Sequence, residues 1–456
     1  MRAGKFAGPA HQDFRRLWAG QTISQLGSQI TPIVLPLLAI GELHADNAGV
    51  AGLVTAQFLP FLLLGLPAGV WVDRLARRRV LIVCDLGRAL VLATVPVAFL
   101  LDAVSMPLLY AVACLHGALT VFFDVAYQTY LPEIVERDRL ADANGKLELS
   151  RSGAQIAGPG LAGLLVSWLR APLVLVADVV SYLLSAFFLW RIEARPAAPP
   201  AAPAERRLFA EVAAALRWIL RHRTLAPLVA CLALLNFFSG GIMYALLIPY
   251  AVRELGMSAG TAGLLLGLSN AGFVAGALVA GRIGKRFGVR RTLIGAVAAN
   301  VGGMALLPLA PGTQPEAVFL AGMTVAWFGA VVFNIHQVTL RQTITPQELL
   351  GRVNASIRFV IWGVIPLGAT TGGFLASRTG LHTTFWIAAV GGALGLVVLV
   401  VAALTGRTFS PDPDPDPDPE ADADAAPDTG PAPESRAAST APPAPDPDAD
   451  ERHIPA

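Results

Sequence analysis

Twelve apolar stretches near 20 residues long dominate this sequence, and each is enough to cross the roughly 30 Å of hydrocarbon in a bilayer. They fall at about 20–42, 48–72, 79–101, 106–130, 146–169, 171–192, 225–251, 258–281, 290–310, 315–338, 354–377 and 381–405. The expected fold is an all-α membrane protein of twelve transmembrane helices in two pseudo-symmetric six-helix halves. Composition supports it: 54% of residues are hydrophobic and 14% charged, against about 25% charged in a soluble domain. The start, Met1 to Trp18, is polar and amphipathic and lacks the apolar core and cleavage site of a removable signal peptide. Cys84, Cys114 and Cys231 all fall in apolar runs without a CxxC pair, so no metal or redox role is expected.

The formal net charge of +2 hides a split, because residues 406–456 carry −10 and the remainder +12. Arg15 and Arg16, the 74–79 loop, Arg137, Arg139, Lys146, the 195–223 stretch, the 282–291 loop, Arg341, Arg352 and Arg407 fall on one side of the spans. The other side holds little beyond Arg170, Arg253 and Arg378. Basic loops stay in the cytoplasm, so both termini are expected there, in a multi-pass protein of the cell membrane.

Four regions follow. Residues 1–192 form a first six-helix half and 225–405 a second. Residues 193–224 make a cytoplasmic linker, Pro/Ala-rich and then basic, where Phe209, Val212, Leu216, Trp218 and Ile219 suggest an interfacial helix. The 406–456 tail, with its Pro-Asp repeats, cannot bury a core and is expected to be disordered. An internal repeat supports the division: Asn144, Gly158, Gly163 and Leu165 recur 210 residues later as Asn354, Gly368, Gly373 and Leu375. At an offset of 212, Gly69 and Arg74 fall on Gly281 and Arg286.

The loop after the second span reads Gly69, Val70, Trp71, Val72, Asp73, Arg74, then Arg77, Arg78 and Arg79. It resembles the loop signature of the major facilitator superfamily, with Ala76 in place of the usual glycine and a second copy from Gly281 to Arg291. In that family the loop belongs to the inner gate, which implies gating roles for Gly69, Asp73, Arg74 and Arg78. A carboxylate at Asp73 could meet a helix N-terminus of the other half, worth roughly 0.3–2 kcal/mol. The fifth span carries Gly158, Pro159, Gly160, Ala162 and Gly163, which resembles the superfamily's antiporter signature and implies export. Close helix packing through small residues is the alternative reading. Phe14 to Trp18, the stretch from Phe122 to Gly163, and Gly351 to Asn354 are similar to the branch of enterobactin exporters and macrolide efflux proteins. One departure matters: the Arg-x-x-Gln-Gly pattern of many proton-coupled exporters is replaced by Ala113, Cys114, Leu115, His116 and Gly117.

Ionisable residues within spans are costly and mark function by default. Asp85, Arg88, Asp124, Glu148, Arg151 and Arg358 are expected to form one ion-pair network within about 9 Å of the cytoplasmic edge, at 1.5 Å per residue. Asp178 lies deeper, toward the outer third, without an obvious local partner, and is a candidate for carrying a proton, with a hydrogen bond to a neighbouring helix as the alternative reading; Asp124 is the competing proton carrier. The superfamily lines its cavity with helices 1, 4, 7 and 10, which implies substrate contacts for Gln25, Gln29, His116, Asn236, Phe237, Tyr244 and Trp327. Gln21, Gln25 and Gln29 are spaced as one helical face. His336 receives no role.

No phosphate loop is present, so ATP is not the energy source. The expected function is secondary active, proton-coupled efflux of a small, largely apolar molecule (drug, antibiotic or siderophore), with no enzyme activity, cofactor, metal or nucleic-acid partner. The expected partners are the substrate, protons and lipid, and the expected state is a monomer. An importer of the same fold, a lipid translocator and a non-transporting membrane sensor are the alternatives.

Overall fold

A backbone surrounded by lipid has no water to satisfy its N–H and C=O groups, so every span must close its hydrogen bonds internally. The computed structural model describes residues 9–135, 139–193, 208–312, 314–346 and 349–405, and the secondary structure there is helical throughout. Residues 406–456 and 194–207 of the linker lie outside them. The first part contains α1 (Pro9–Gly27), α2 (Thr31–Gly41), α3 (Asn47–Asp73), α4 (Arg77–Leu100), α5 (Met106–Ile134), α6 (Leu140–Trp168) and α7 (Ala171–Trp190). A short α8 (Leu208–Arg221) precedes the rest: α9 (Leu225–Leu235), α10 (Tyr244–Pro249), α11 (Ala259–Ser269), α12 (Ala271–Leu306), α13 (Pro315–Ile344), α14 (Leu350–Thr379) and α15 (Leu381–Leu404). Residues Asn236–Met243, between α9 and α10, are π-helical.

Ten runs among the described residues are long and apolar enough to span, and two features account for the difference from twelve. The run Ala259–Leu309 is 51 residues long, which as a straight helix would reach roughly 75 Å. Its backbone turns at Gly288, where φ is 76° and ψ 159°, a conformation open to glycine. The second feature is α6, 29 residues long, whose glycines, Pro159, Lys146, Glu148 and Arg151 keep its composition below that of a span. Counting the bent run as two crossings and α6 as one gives twelve. Several helices also overshoot their apolar stretches on the arginine-rich side, α5 to Ile134 and α13 to Ile344. Hydropathy marks the lipid, whereas helix continues into water while backbone bonding allows it.

The packing is pseudo-symmetric. Across the halves, α3 packs on α14 and α6 on α11. A Cβ on Gly163 would lie 2.9 Å from the backbone of Gly263, and one on Gly263 would lie 2.6 Å from Cα of Gly163. Its repeat partner Gly373 likewise meets the other half, 3.1 Å from Cα of Ala48. Within each half, Gly158 packs on Gln29 and Gly368 on Phe237 and Gly241. The 210-residue repeat therefore specifies equivalent contacts.

The buried apolar core has an uneven shape. One cluster joins both halves at the end away from the arginines, combining Val34, Leu53 and Leu175 with Leu246, Phe319 and Phe385. At the arginine-rich end the core divides in two. Leu17, Leu81 and Tyr130 belong to a cluster of the first half alone; Leu228, Val297 and Leu340 belong to one of the second. Ile219 of α8 joins the latter, so the linker helix docks on α9 and α14. Arg253 clasps the shared end, donating to Asn47 Oδ1 at 2.6 Å and to the carbonyl of Ala45.

The glycine seam generates a test. Gly263→Leu should lower the melting temperature in detergent by several degrees, since overpacking a tight contact costs about 1–3 kcal/mol. Gly153→Leu, on the stretch of α6 where an added Cβ meets nothing within 4 Å, should leave it nearly unchanged. Equal losses in both would remove the distinction between a packed and an open end.

Candidate functional site

Helix breaks shape the space between the halves. The first span is interrupted after Gly27, with Thr31, Pro32 and Pro36 opening its second segment. Gln29 therefore lies beyond the helix that carries Gln21 and Gln25: Gln21 is buried, while Gln29 lines a central cavity of about 280 Å3. There Gln29, Gln57 and Gln155 of the first half face Tyr244, Asn270 and Trp327 of the second. Asn270 Nδ2 crosses to the backbone carbonyl of Gln155 at 2.8 Å. Gln57 and Gln155 escaped the sequence reading, which weighed ionisable residues and four helices; an amide inside an apolar run was the available signal.

A second cavity of about 240 Å3 lies within the later half and includes Asn236, Tyr244 and Trp327. Phe237 instead packs edge-on to Phe238, with centroids 5.0 Å apart, beside the core cluster that joins the halves. Gln25 is half-buried and lines neither cavity. His116 lines neither cavity. It is buried in the first half, and its Nε2 lies 3.0 Å from the Tyr182 hydroxyl. Its neighbour Gly117 sits against the Gln57 carbonyl, where a Cβ would come within 2.2 Å.

The charged residues separate into several groups. Asp85 and Arg88 form a buried ion pair one helical turn apart on α4. Arg88 is eleven residues past Arg77, roughly 16 Å along the helix from its first residue, a turn deeper than Asp85. Its guanidinium sits over the rings of Phe123 at 4.1 Å and Tyr182 at 4.4 Å. Cation–π contact offsets part of the lost hydration. Glu148 and Arg151 pair at 3.2 Å on an exposed face of α6. Arg358, from the second half, donates to Gln128 Oε1 of the first at 3.1 Å. Asp124 lies one helical turn before Gln128 on α5, on the face that Arg358 reaches. Asp178 makes the hydrogen bond to a neighbouring helix that was its alternative reading: Thr31 of α2 and Ser181 of its own helix both donate hydroxyl hydrogen bonds to its carboxylate.

At the basic end, Arg78 caps α7 by donating to the carbonyls of Leu189 and Trp190, a favourable place for a cation. Arg77 pairs with Glu133. Arg74 is exposed, and the side chain of Asp73 lies outside the described residues. An added Cβ at Gly69 or at its repeat partner Gly281 would meet nothing within 4 Å. Pro159 lines the central cavity beside Gln155. Among the described residues no cluster of three or more His, Cys, Asp or Glu could hold a metal ion.

Two repeated helical halves around a polar cavity in an apolar bundle define a membrane transporter. The Major Facilitator Superfamily profile matches residues 17–360 and 229–444, and the chain belongs to that superfamily; it is a transporter, not an enzyme. The multidrug efflux pump Tap of Mycolicibacterium fortuitum is 29% identical over 373 residues, covering 79% of this chain and 88% of the pump. A bacterial homologue of the iron transporter ferroportin, solved in an inward-facing state, superposes with a TM-score of 0.69 at 17% identity, covering 86% of this chain and 98% of that one. The nucleoside transporter NupG superposes with a TM-score of 0.71 at 12% identity, covering 87% and 100%. These two likenesses concern the fold.

The buried pair makes a prediction. Asp85→Asn or Arg88→Leu alone should reduce folded yield sharply, because an unpaired buried charge costs about 3–5 kcal/mol. The double variant Asp85→Leu/Arg88→Leu should recover much of the loss, read by size-exclusion profile and melting temperature. A double variant worse than both singles would contradict this.

Proposed function

We propose that this transporter exports small, largely apolar molecules from the cytoplasm in exchange for protons, with its arginine-rich end and both termini inside the cell. The observation that carries the reading is the divided core. It is continuous across the halves at one end and split at the other, as expected when two rigid bodies rock about a central site. The clasped end is then the outer gate, and the open end lies on the arginine-rich, cytoplasmic side. The direction rests on the likeness to an efflux pump and on the antiporter-like 158–163 segment. Cavities walled by amides and aromatics, without a charged lining residue, suit substrates with few fixed polar contacts.

Gating falls to the 69–79 loop. When the open end closes, Gly69 and Gly281 offer surfaces on which helices can approach closely. By the resemblance to the superfamily's loop signature, Asp73 and Arg74 are the residues that would meet the other half there. The resemblance to the enterobactin and macrolide exporters belongs to this same reading, as does action as a monomer in the cell membrane.

Coupling is assigned to Asp124 ahead of Asp178. Asp124 belongs to the first half, one helical turn before Gln128, which accepts from Arg358 of the second half at 3.1 Å. Protonating Asp124 removes an attraction between the halves, and a ligand shifts an equilibrium only through such a differential interaction. Asp178 is held by two hydroxyls of its own half, so its protonation leaves contacts between the halves untouched.

Proteoliposomes carrying an imposed pH gradient test this reading. Asp124→Asn should abolish gradient-driven accumulation of a lipophilic dye while retaining dye binding; Asp178→Asn should retain most transport. Normal transport by Asp124→Asn, with loss in Asp178→Asn, would move the proton site to Asp178. Export driven by sodium and indifferent to pH would overturn proton exchange.

A further inference from the structure

The cavity inside the second half differs from the central one in a way that the transporter reading does not require. All of its lining comes from residues 232–334, so it belongs to one half and its walls stay together when the halves rock. It owes its shape to the π-helical turn Asn236–Met243. That wider turn brings Asn236, Ser239 and Met243 onto the cavity, and such turns recur where a helix has been altered for function.

Its polar groups have a direction. Asn236 donates its Nδ2 to the Leu232 carbonyl at 2.9 Å, and Asn300 donates its Nδ2 to the Ala326 carbonyl at 3.0 Å. A carbonyl accepts only from N–H or O–H, so these bonds fix both amides with Nδ2 toward the backbone. Each Oδ1 remains as an acceptor. Around them stand Trp327 and Phe333 with Met304 and Met323, aromatic faces and polarisable thioethers that adapt to flat rings. The lining contains no Lys, Arg or His to meet an anion, so an anionic group would be buried there without a counter-charge, which is costly.

We propose that this cavity is a binding subsite for neutral aromatic molecules bearing an N–H or O–H donor, and that it rejects anions. The proposal rests on the transporter reading only for its biological use. Because the walls belong to one half, binding here makes the same contacts in either arrangement. It therefore retains substrate without itself driving the change between states.

The test needs no gradient, so it is independent of transport. N-phenyl-1-naphthylamine is neutral and aromatic with one N–H, and 8-anilinonaphthalene-1-sulfonate is the same skeleton with a sulfonate added. Both are titrated onto the purified protein in nanodiscs, read by energy transfer from tryptophan and corrected with empty nanodiscs. The neutral amine should bind saturably and the sulfonate at least about tenfold more weakly. Asn300→Leu should weaken the amine by about tenfold, the effect of losing one hydrogen-bonded acceptor. Gly240→Leu should do so independently, because the first added carbon lies 3.4 Å from its nearest neighbour and the rest fills the cavity. Neither residue lines the central cavity, so these losses place the site. Equal affinity for sulfonate and amine in the unaltered protein overturns the proposal whatever the variants do. So does unchanged amine binding in a folded variant of either kind.

Discussion

The structure depends on how closely two helix backbones can approach where the halves meet. In lipid there is little hydrophobic drive to join helices, so contact must come from close packing and hydrogen bonds. At α6 against α11, Gly160 and Gly163 stand against Gly267 and Gly263, with no side chain between the backbones. The symmetric crossing of α14 on α3 uses Gly373 against Ala48 and Ala51. Further along that crossing, Trp362 stacks on Phe61 with centroids 5.0 Å apart. Tight contacts therefore concentrate toward one end. Glycines nearer the basic end, such as Gly69 and Gly153, stand free. A surface of small residues that touches nothing in one arrangement is available for contact in another.

Symmetry of backbone packing coexists with asymmetry of charge. The first half buries Asp85, Arg88 and Asp178 together with His116, whereas the cavity in the second half is neutral. Between the halves, Arg358 of the second donates to Gln128 of the first. Arg88, laid between Phe123 and Tyr182, makes a deep charge tolerable by surrounding it with π faces and one carboxylate.

Much of the fold was legible because lipid imposes a simple rule on composition. The span lengths and the 210-residue repeat were readable from single residues such as Gly163 and Gly373. The places where that reading slipped share one cause: local sequence does not report what a side chain faces. The spacing of Gln21, Gln25 and Gln29 assumed an unbroken helix, and the break after Gly27 takes Gln29 off the face that Gln21 and Gln25 keep. Asp178 looked unpartnered because Thr31 is 147 positions away in sequence. His116 occupied a cavity-lining position by resemblance, yet Tyr182 holds it in the core. Arg88 was placed too near the edge because the depth of about 9 Å fits Asp85, whereas Arg88 is a helical turn further along α4. Asn300, by contrast, drew no notice as an amide in an apolar run, and it now carries the polar character of the second cavity.

The central claim is that the two ends of the bundle open alternately. Its most direct test is pulsed electron spin distance measurement in nanodiscs, with Cys84, Cys114 and Cys231 replaced. One label pair at Arg74 and Arg286 reports the basic end, and another at Glu42 and Glu254 reports the clasped end. The account predicts that conditions which shorten the first distance lengthen the second, with acidification as the first condition to try. Distances that shorten together, or a basic-end distance that never changes while transport proceeds, would contradict it.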